Sequence, residues 1–118
     1  MTFYDRHGNP KCYTMDNIHI YDFSGNPIAY IYNTGIWTYS GTQLGWLYNG
    51  SVIDASRSYL LFSEYSIGGP LKPLRKLCPL KGLRHLRPLK SLRSMMVRLG
   101  IVNNHWSDFN FEQVFYGI

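Results

Sequence analysis

Short apolar stretches alternate with polar turns over the first 64 residues, in a pattern that recurs four times. Each copy has an apolar pair, a polar turn that ends in a glycine slot, and a returning stretch with an aromatic residue five positions after that slot. The slots are Gly8, Gly25, Gly41 and Arg57, and the aromatic residues are Tyr13, Tyr30, Trp46 and Phe62. A fixed period is typical of repeat architectures, in which no unit can bury its apolar face alone.

Residues 20–32 show why each copy predicts a β-hairpin. The Asp22 carboxylate can accept backbone N–H groups within the turn, and Gly25 can take the left-handed conformation of a G1 bulge. Further turn residues separate the copies, at positions 16–17, 33–35 and 49–50. The chain is therefore predicted to be all-β, with eight short strands in four pseudo-symmetric β-hairpins around a central axis.

The residue four positions after each slot is small in three copies. These residues are Cys12, Ala29, Gly45 and Leu61. Because side chains alternate between the two faces of a strand, this set and the neighbouring aromatic set point in opposite directions. We expect the small set to crowd the central axis and the aromatic set to fill gaps between the blades.

The recurring Tyr-Asp-x-x-Gly-x-Pro hairpins, followed by residues 68–70 (Gly-Gly-Pro) and a basic proline-rich run, resemble the bacterial 4-fold beta flower family. The resemblance covers most of the chain and implies four hairpins about a pseudo-fourfold axis, but it implies no activity or substrate. Thr38 replaces the turn aspartate in copy three, Arg57 replaces glycine in copy four, and Gln43 and Tyr59 replace proline. These departures predict different turns in copies three and four.

Residues 70–93 form eight triplets with leucine in the middle of each. The third position is basic in seven triplets, at Lys72, Arg75, Lys81, Arg84, Arg87, Lys90 and Arg93. At 100° per residue, an α-helix would not keep such leucines on one face, and the prolines would break it. A polyproline II helix has three residues per turn, so it keeps leucines on one edge and bases on another. We predict an irregular, polyproline-like basic arm.

The net charge of +5 originates in this arm. Residues 1–69 carry −2, residues 70–93 carry +8 and residues 94–118 carry −1. We therefore divide one compact unit into a four-hairpin β domain (1–66), a hinge with the basic arm (67–93) and a C-terminal aromatic segment (94–118).

Two interpretations of the arm compete. In the first, the leucine edge docks onto the aromatic residues and the bases face water, since eight leucines are costly to expose. In the second, the seven third-position bases bind an acidic partner: nucleic acid, an anionic membrane surface or an acidic protein. We predict a non-enzymatic binding module. The alternatives are a purely structural or oligomerisation domain whose arm wraps the β domain and, with less support, a small hydrolase.

The C-terminal segment predicts a short helical turn with Asn110 as N-cap and Gln113 as its capping-box partner. Its aromatic residues are expected to anchor the chain end on the β domain, and they are Trp106, Phe109, Phe111 and Phe115.

The remaining candidate chemistry is sparse. Asp5, Asp22 and Asp54 could ring an axis and hold a cation, but turn chemistry alone explains them. The four histidines have no metal-ligand spacing, and Cys12 and Cys78 are expected to be buried free thiols. We predict no catalytic residue, no metal and no cofactor.

Targeting signals are also missing from the sequence pattern. No basic region followed by an apolar run opens the chain, and no run approaches 18 apolar residues. We expect no signal peptide or membrane span and a cytoplasmic location by default, with leaderless export left open.

Overall fold

The computed structural model describes residues 1–118 as a closed eight-stranded antiparallel barrel, a segment wrapped around it and one helix. The strands are β1 (Thr2–Tyr4), β2 (Pro10–Thr14), β3 (His19–Asp22), β4 (Pro27–Tyr32), β5 (Gly35–Trp37), β6 (Gln43–Tyr48), β7 (Ser51–Asp54) and β8 (Tyr59–Ser63), and the helix is α1 (Phe111–Tyr116). Each strand pairs with the next, and β8 pairs with β1, so the sheet has no free edge. The predicted all-β fold of four hairpins around an axis is confirmed.

All four hairpins use the same turn. The N–H of each slot residue donates to the carbonyl three residues earlier, as Gly25 does to Asp22 at 3.0 Å. Each slot residue has a left-handed φ, and each hairpin has a register shift at the same place. The prediction of different turns in copies three and four is therefore wrong. Thr38 accepts the Thr42 N–H as the aspartate would, and Arg57 reaches φ 62° while its side chain bonds the Leu99 carbonyl at 2.6 Å.

The turn aspartates hold the hairpin turns, as predicted. The N–H groups of His7 and Asn9 both donate to Asp5 Oδ1 at 2.9 Å. Burial raises the pKa of the Asp22 carboxyl, but hydrogen bonds from Asn26 and Tyr116 outweigh it, so that this pKa lies below its ordinary value.

The barrel interior pairs a large residue with a smaller one in three of the four hairpins. The opposed pairs are Phe3 with Cys12, Ile20 with Ala29, Ile36 with Gly45, and Val52 with Leu61. All eight are buried, and seven of them belong to one apolar cluster. The small set thus faces the axis as expected, because its partners supply the volume that a narrow interior needs.

The short helix closes the barrel at the end where the four hairpin turns lie. Phe111 and Phe115 join the interior cluster, while Tyr116 donates to Asp22 at 2.8 Å. The capping box between Asn110 and Gln113 is confirmed, since both of its hydrogen bonds are present. The structure contains no helix of the length and apolarity needed to cross a membrane.

Both cysteines are free thiols, as expected, but the expectation that both are buried is wrong for Cys78. Cys12 lies in the barrel interior, where burial raises the pKa of its thiol, and Cys78 is exposed.

Candidate functional site

Residues 70–103, which we call the belt, run around the outside of the barrel. Every ninth belt residue donates its backbone N–H to the carbonyl of the next slot residue. The bonds are Lys76 to Gly8 (2.9 Å), His85 to Gly25 (2.9 Å), Ser94 to Gly41 (2.9 Å) and Asn103 to Arg57 (2.7 Å). Nine belt residues therefore match one hairpin of 16 or 17 residues, and the contacts continue to Asn103, past the eighth leucine triplet.

The length of the belt agrees with an extended helix of three residues per turn. No helix or strand interrupts residues 70–103. At about 3.1 Å per residue, the 34 residues of the belt would span about 105 Å as a polyproline II helix, and a circle about 36 Å across has a circumference of about 113 Å. The molecule measures 37 × 35 × 26 Å, so the belt is long enough for nearly one circuit.

The prolines of the belt occupy positions that donate no N–H to a turn. Gly82 and Ser91 also donate their N–H groups to turn carbonyls, those of Phe23 and Tyr39, both at 2.8 Å. Pro79 lies midway between Lys76 and Gly82, and Pro88 lies midway between His85 and Ser91, so their missing N–H costs nothing.

Val97 is the equivalent position in the next span, and it donates its N–H to Gln43 Oε1 at 2.8 Å. Gln43 stands where the first two hairpins have proline, and Val97 stands where the earlier belt spans have proline. These two residues, each in the place of a proline, form one hydrogen bond with each other.

From Arg75 onward, the basic third residues of the triplets lie against the aromatic outer wall of the barrel. The cation-to-ring distances are 5.9 Å for Arg75 over Tyr4, 4.8 Å for Lys81 over Tyr13, 5.8 Å for Arg84 over Tyr21, 4.5 Å for Lys90 over Tyr30 and 3.7 Å for Arg93 over Tyr32. Such contacts contribute about 0.5–1 kcal/mol each at exposed sites. The belt is thus held by its cations as well as by its backbone.

Two of the arginines also bond tyrosine hydroxyls. Arg87 donates to the Tyr21 hydroxyl and Arg93 donates to the Tyr30 hydroxyl, both at 3.2 Å. These hydrogen bonds raise the pKa of both guanidinium groups above the ordinary value.

The expectation that the leucine edge docks on the aromatic residues is wrong. All eight leucines point to solvent with 92–96% of their surface exposed, and they are Leu71, Leu74, Leu77, Leu80, Leu83, Leu86, Leu89 and Leu92. The aromatic wall consists largely of tyrosines, whose rings attract cations and whose hydroxyls need polar partners. Lysine and arginine satisfy both needs and leucine satisfies neither, so the leucines take the edge that faces water.

In the last part of the belt, after residue 93, the belt contributes apolar side chains to the contact and the barrel contributes the cation. Beyond residue 93 the third positions become apolar, and Met96, Leu99 and Val102 pack against the cluster around Trp46. The cation here comes from the barrel, because Arg57 lies 5.4 Å from the ring of Trp46.

Six of the seven predicted binding residues lie on the aromatic wall, whereas Lys72 bonds the carbonyls of Gly68 and Pro70 in its own segment. Sequence reasoning missed Lys76, which donates to Asn9 Oδ1 at 3.0 Å, and Arg57. The signal for Lys76 was a base at the first position of the one triplet whose third position, Cys78, is not basic, and the signal for Arg57 was a base in a glycine slot.

Because the cations of the belt face the barrel and its leucines face solvent, we expect effects of different size from substitutions at two adjacent residues. Arg93→Ala should lower the free energy of unfolding by about 1–2 kcal/mol, because it removes a hydrogen bond and a cation–π contact. Leu92→Ala should change it by less than about 0.5 kcal/mol, because Leu92 is 96% exposed. Urea titration of both variants tests this, and a larger loss from Leu92→Ala would show that the leucine edge is buried.

Comparison with known proteins bears on the fold. A family model described as "4-fold beta flower protein" matches residues 1–115. No curated protein and no solved structure shows significant similarity to the chain. The matched region includes all eight strands and the whole belt. The chain therefore belongs to the 4-fold beta flower family.

Proposed function

We propose that the protein is a non-enzymatic binding module in which the barrel is a scaffold and the belt presents its cations to an acidic partner. The observation that carries this proposal is the ordered spacing of six lysine and arginine side chains along the barrel wall, from Arg75 to Arg93, in a segment without a single acidic residue.

Ordering of the cations favours binding. A free arm would lose backbone and side-chain entropy when it bound a partner, whereas the belt has already lost it on folding. The aromatic ring covers only one side of each cation, and five of the six residues remain exposed: Arg75, Lys81, Arg84, Arg87 and Lys90. Their free N–H groups can reach carboxylates or phosphates.

Methionine is a suitable neutral replacement at these positions. Met96 already occupies a third position and packs on Tyr30, Trp37 and Tyr39. The variant Lys81→Met, Arg84→Met, Lys90→Met should keep the belt in place and remove three charges.

A control with the same net charge is available at the opposite end of the barrel. Asn17, Asn33 and Asn49 are exposed turn residues with left-handed φ, which aspartate tolerates well. Changing all three to Asp also lowers the net charge by three. We expect the wild type to bind heparin with strong salt dependence, the methionine variant to bind at least about tenfold more weakly, and the control to bind nearly as well as the wild type.

Two results would contradict this proposal. An equal loss in both variants would mean that heparin senses net charge and not the belt. No binding by the folded wild type at low salt would favour the alternative, in which the belt is a purely structural element.

A further inference from the structure

We infer that the acidic partner is an anionic lipid bilayer, which the eight exposed leucines of the belt enter while the neighbouring cations contact lipid headgroups. This inference rests on the proposed function and identifies the class of partner. We call the eight leucines, from Leu71 to Leu92, the leucine rim.

The exposure of the leucine rim needs a partner to explain it. Scattered apolar residues on a surface are ordinary, but eight leucines with 92–96% exposure recur here at a strict spacing of three. Two of the next three middle positions are also exposed and apolar, Met95 at 92% and Ile101 at 88%, with Arg98 between them.

The topology places the rim around one end of the barrel. In a barrel of consecutive antiparallel strands, the four slot turns lie at one end and the other connections lie at the opposite end. The belt bonds the same carbonyl in each of these four turns, so its backbone follows the ring of slot turns, while its cations reach along the wall as far as Tyr32 at the end of β4. Phe109 and Ile118 flank helix α1 at this end and are 53% and 83% exposed, which adds apolar surface inside this ring.

The charges outside the belt are unevenly distributed between the two ends of the barrel. Outside the belt, the cations are Arg6 and Arg57 in slot turns and Lys11, which bonds Glu112 of α1 at 3.1 Å. Two of the acids, Asp16 and Glu64, lie toward the opposite end of the barrel.

The acids near the rim are largely engaged within the protein. Asp54 is 2% exposed and accepts hydroxyl donors from Ser56 and Ser107. Asp5 lies 3.8 Å from the Lys11 ammonium, and Asp22 accepts the Tyr116 hydroxyl. Asp108 is exposed, and its single negative charge is outnumbered by the eight cations of residues 70–93. The rim end is therefore cationic.

An anionic bilayer can both bury the leucines and neutralise the cations of the belt, whereas each of the other possible partners does only one of these. Two copies joined rim to rim would bury leucines but would bring eight cations against eight. A nucleic acid would neutralise the cations but would leave the leucines in water. At an anionic bilayer, leucines enter the acyl boundary while long cationic side chains reach headgroup phosphates.

The test uses the full chain with vesicles of phosphatidylcholine, with and without phosphatidylglycerol, and with heparin as a polyanion that has no apolar phase. The variant Leu77→Ser, Leu80→Ser, Leu83→Ser, Leu86→Ser removes four exposed side chains, so the fold is retained. A matched variant changes the same four leucines to Met and keeps them apolar. Co-sedimentation reports vesicle binding, and thermal unfolding confirms folding.

We expect wild type and Met variant to bind the phosphatidylglycerol vesicles, and the Ser variant to bind them at least about tenfold more weakly. Heparin binding should be nearly equal in all three. Equal vesicle binding by the Ser variant, with heparin binding kept, would overturn the bilayer and leave the proposed function intact.

Other outcomes also overturn the inference. Failure of the wild type to bind either vesicles or heparin would overturn both proposals. Self-association of the wild type that the Ser variant lacks, without vesicle binding, would make a second copy the occupant of the rim. Tight binding to duplex DNA or RNA without vesicle binding would identify a nucleic acid as the partner.

Discussion

The Gly8→Ala variant is expected to lose about 3 kcal/mol of unfolding free energy and to loosen the belt at the first hairpin. Gly8 has φ +84°, and a Cβ atom there would lie 2.1 Å from the Leu74 carbonyl oxygen. The belt cannot simply move away, because Lys76, two residues after Leu74, donates its N–H to the Gly8 carbonyl. Urea titration gives the loss of stability, and hydrogen exchange at the Lys76 amide reports the belt contact.

Gly68→Ala is the matched control for this experiment. Gly68 has φ +73°, but a Cβ atom there would meet nothing within 4 Å. The control should therefore lose about 1 kcal/mol, which is the backbone cost of a left-handed alanine alone. Equal losses in the two variants, with an unchanged Lys76 exchange rate, would show that the belt does not press on the first turn.

The Phe111→Ala variant is expected to lose about 3–5 kcal/mol, the cost of emptying a buried aromatic site. Phe111 is 3% exposed, stacks on Phe115 at 4.7 Å and belongs to the interior cluster of the barrel. The narrow barrel cannot collapse onto the void, since its hydrogen-bonded strands set its diameter. Thermal and urea unfolding should both show the loss.

Phe109→Ala controls for loss of an aromatic residue in the same segment. Phe109 is 53% exposed and lies outside helix α1, so we expect a loss of less than about 1 kcal/mol. A loss from Phe111→Ala no larger than this one would mean that the helix does not close the barrel.

Much of the fold could be predicted because its rules are local. The slot turns need a left-handed residue, and the capping box of α1 joins residues only three apart, so both can be read from short stretches. The triplet period excluded an α-helix for residues 70–93 and predicted an extended arm with separate edges. The turn of the fourth hairpin was predicted wrongly because contacts with Leu99 and Trp46 hold Arg57 in the left-handed conformation. Both residues lie outside the turn, so the turn sequence alone does not reveal these contacts.

The candidate site shows the limit of such rules. The sequence identified six of the cations that lie on the wall, together with the leucines beside them. It did not indicate which edge of the arm faces the barrel, because a three-residue period separates the edges without ranking them. The pairing depends on contacts between residues about 60 to 70 positions apart, such as Arg87 with Tyr21. The binding role of the cations stays a prediction.

By itself, the amino-acid sequence determined the four hairpins, the interior positions of the small residues, the capped helix and the three-residue period of the arm. Each of these follows from backbone geometry and side-chain alternation over a few residues. Only the tertiary structure decided that the arm closes into a belt, with nine residues for each hairpin, and that its leucines face outward. That outcome depends on matching the arm to the circumference of the barrel and its cations to a wall of tyrosines, and both surfaces exist only after the barrel has closed.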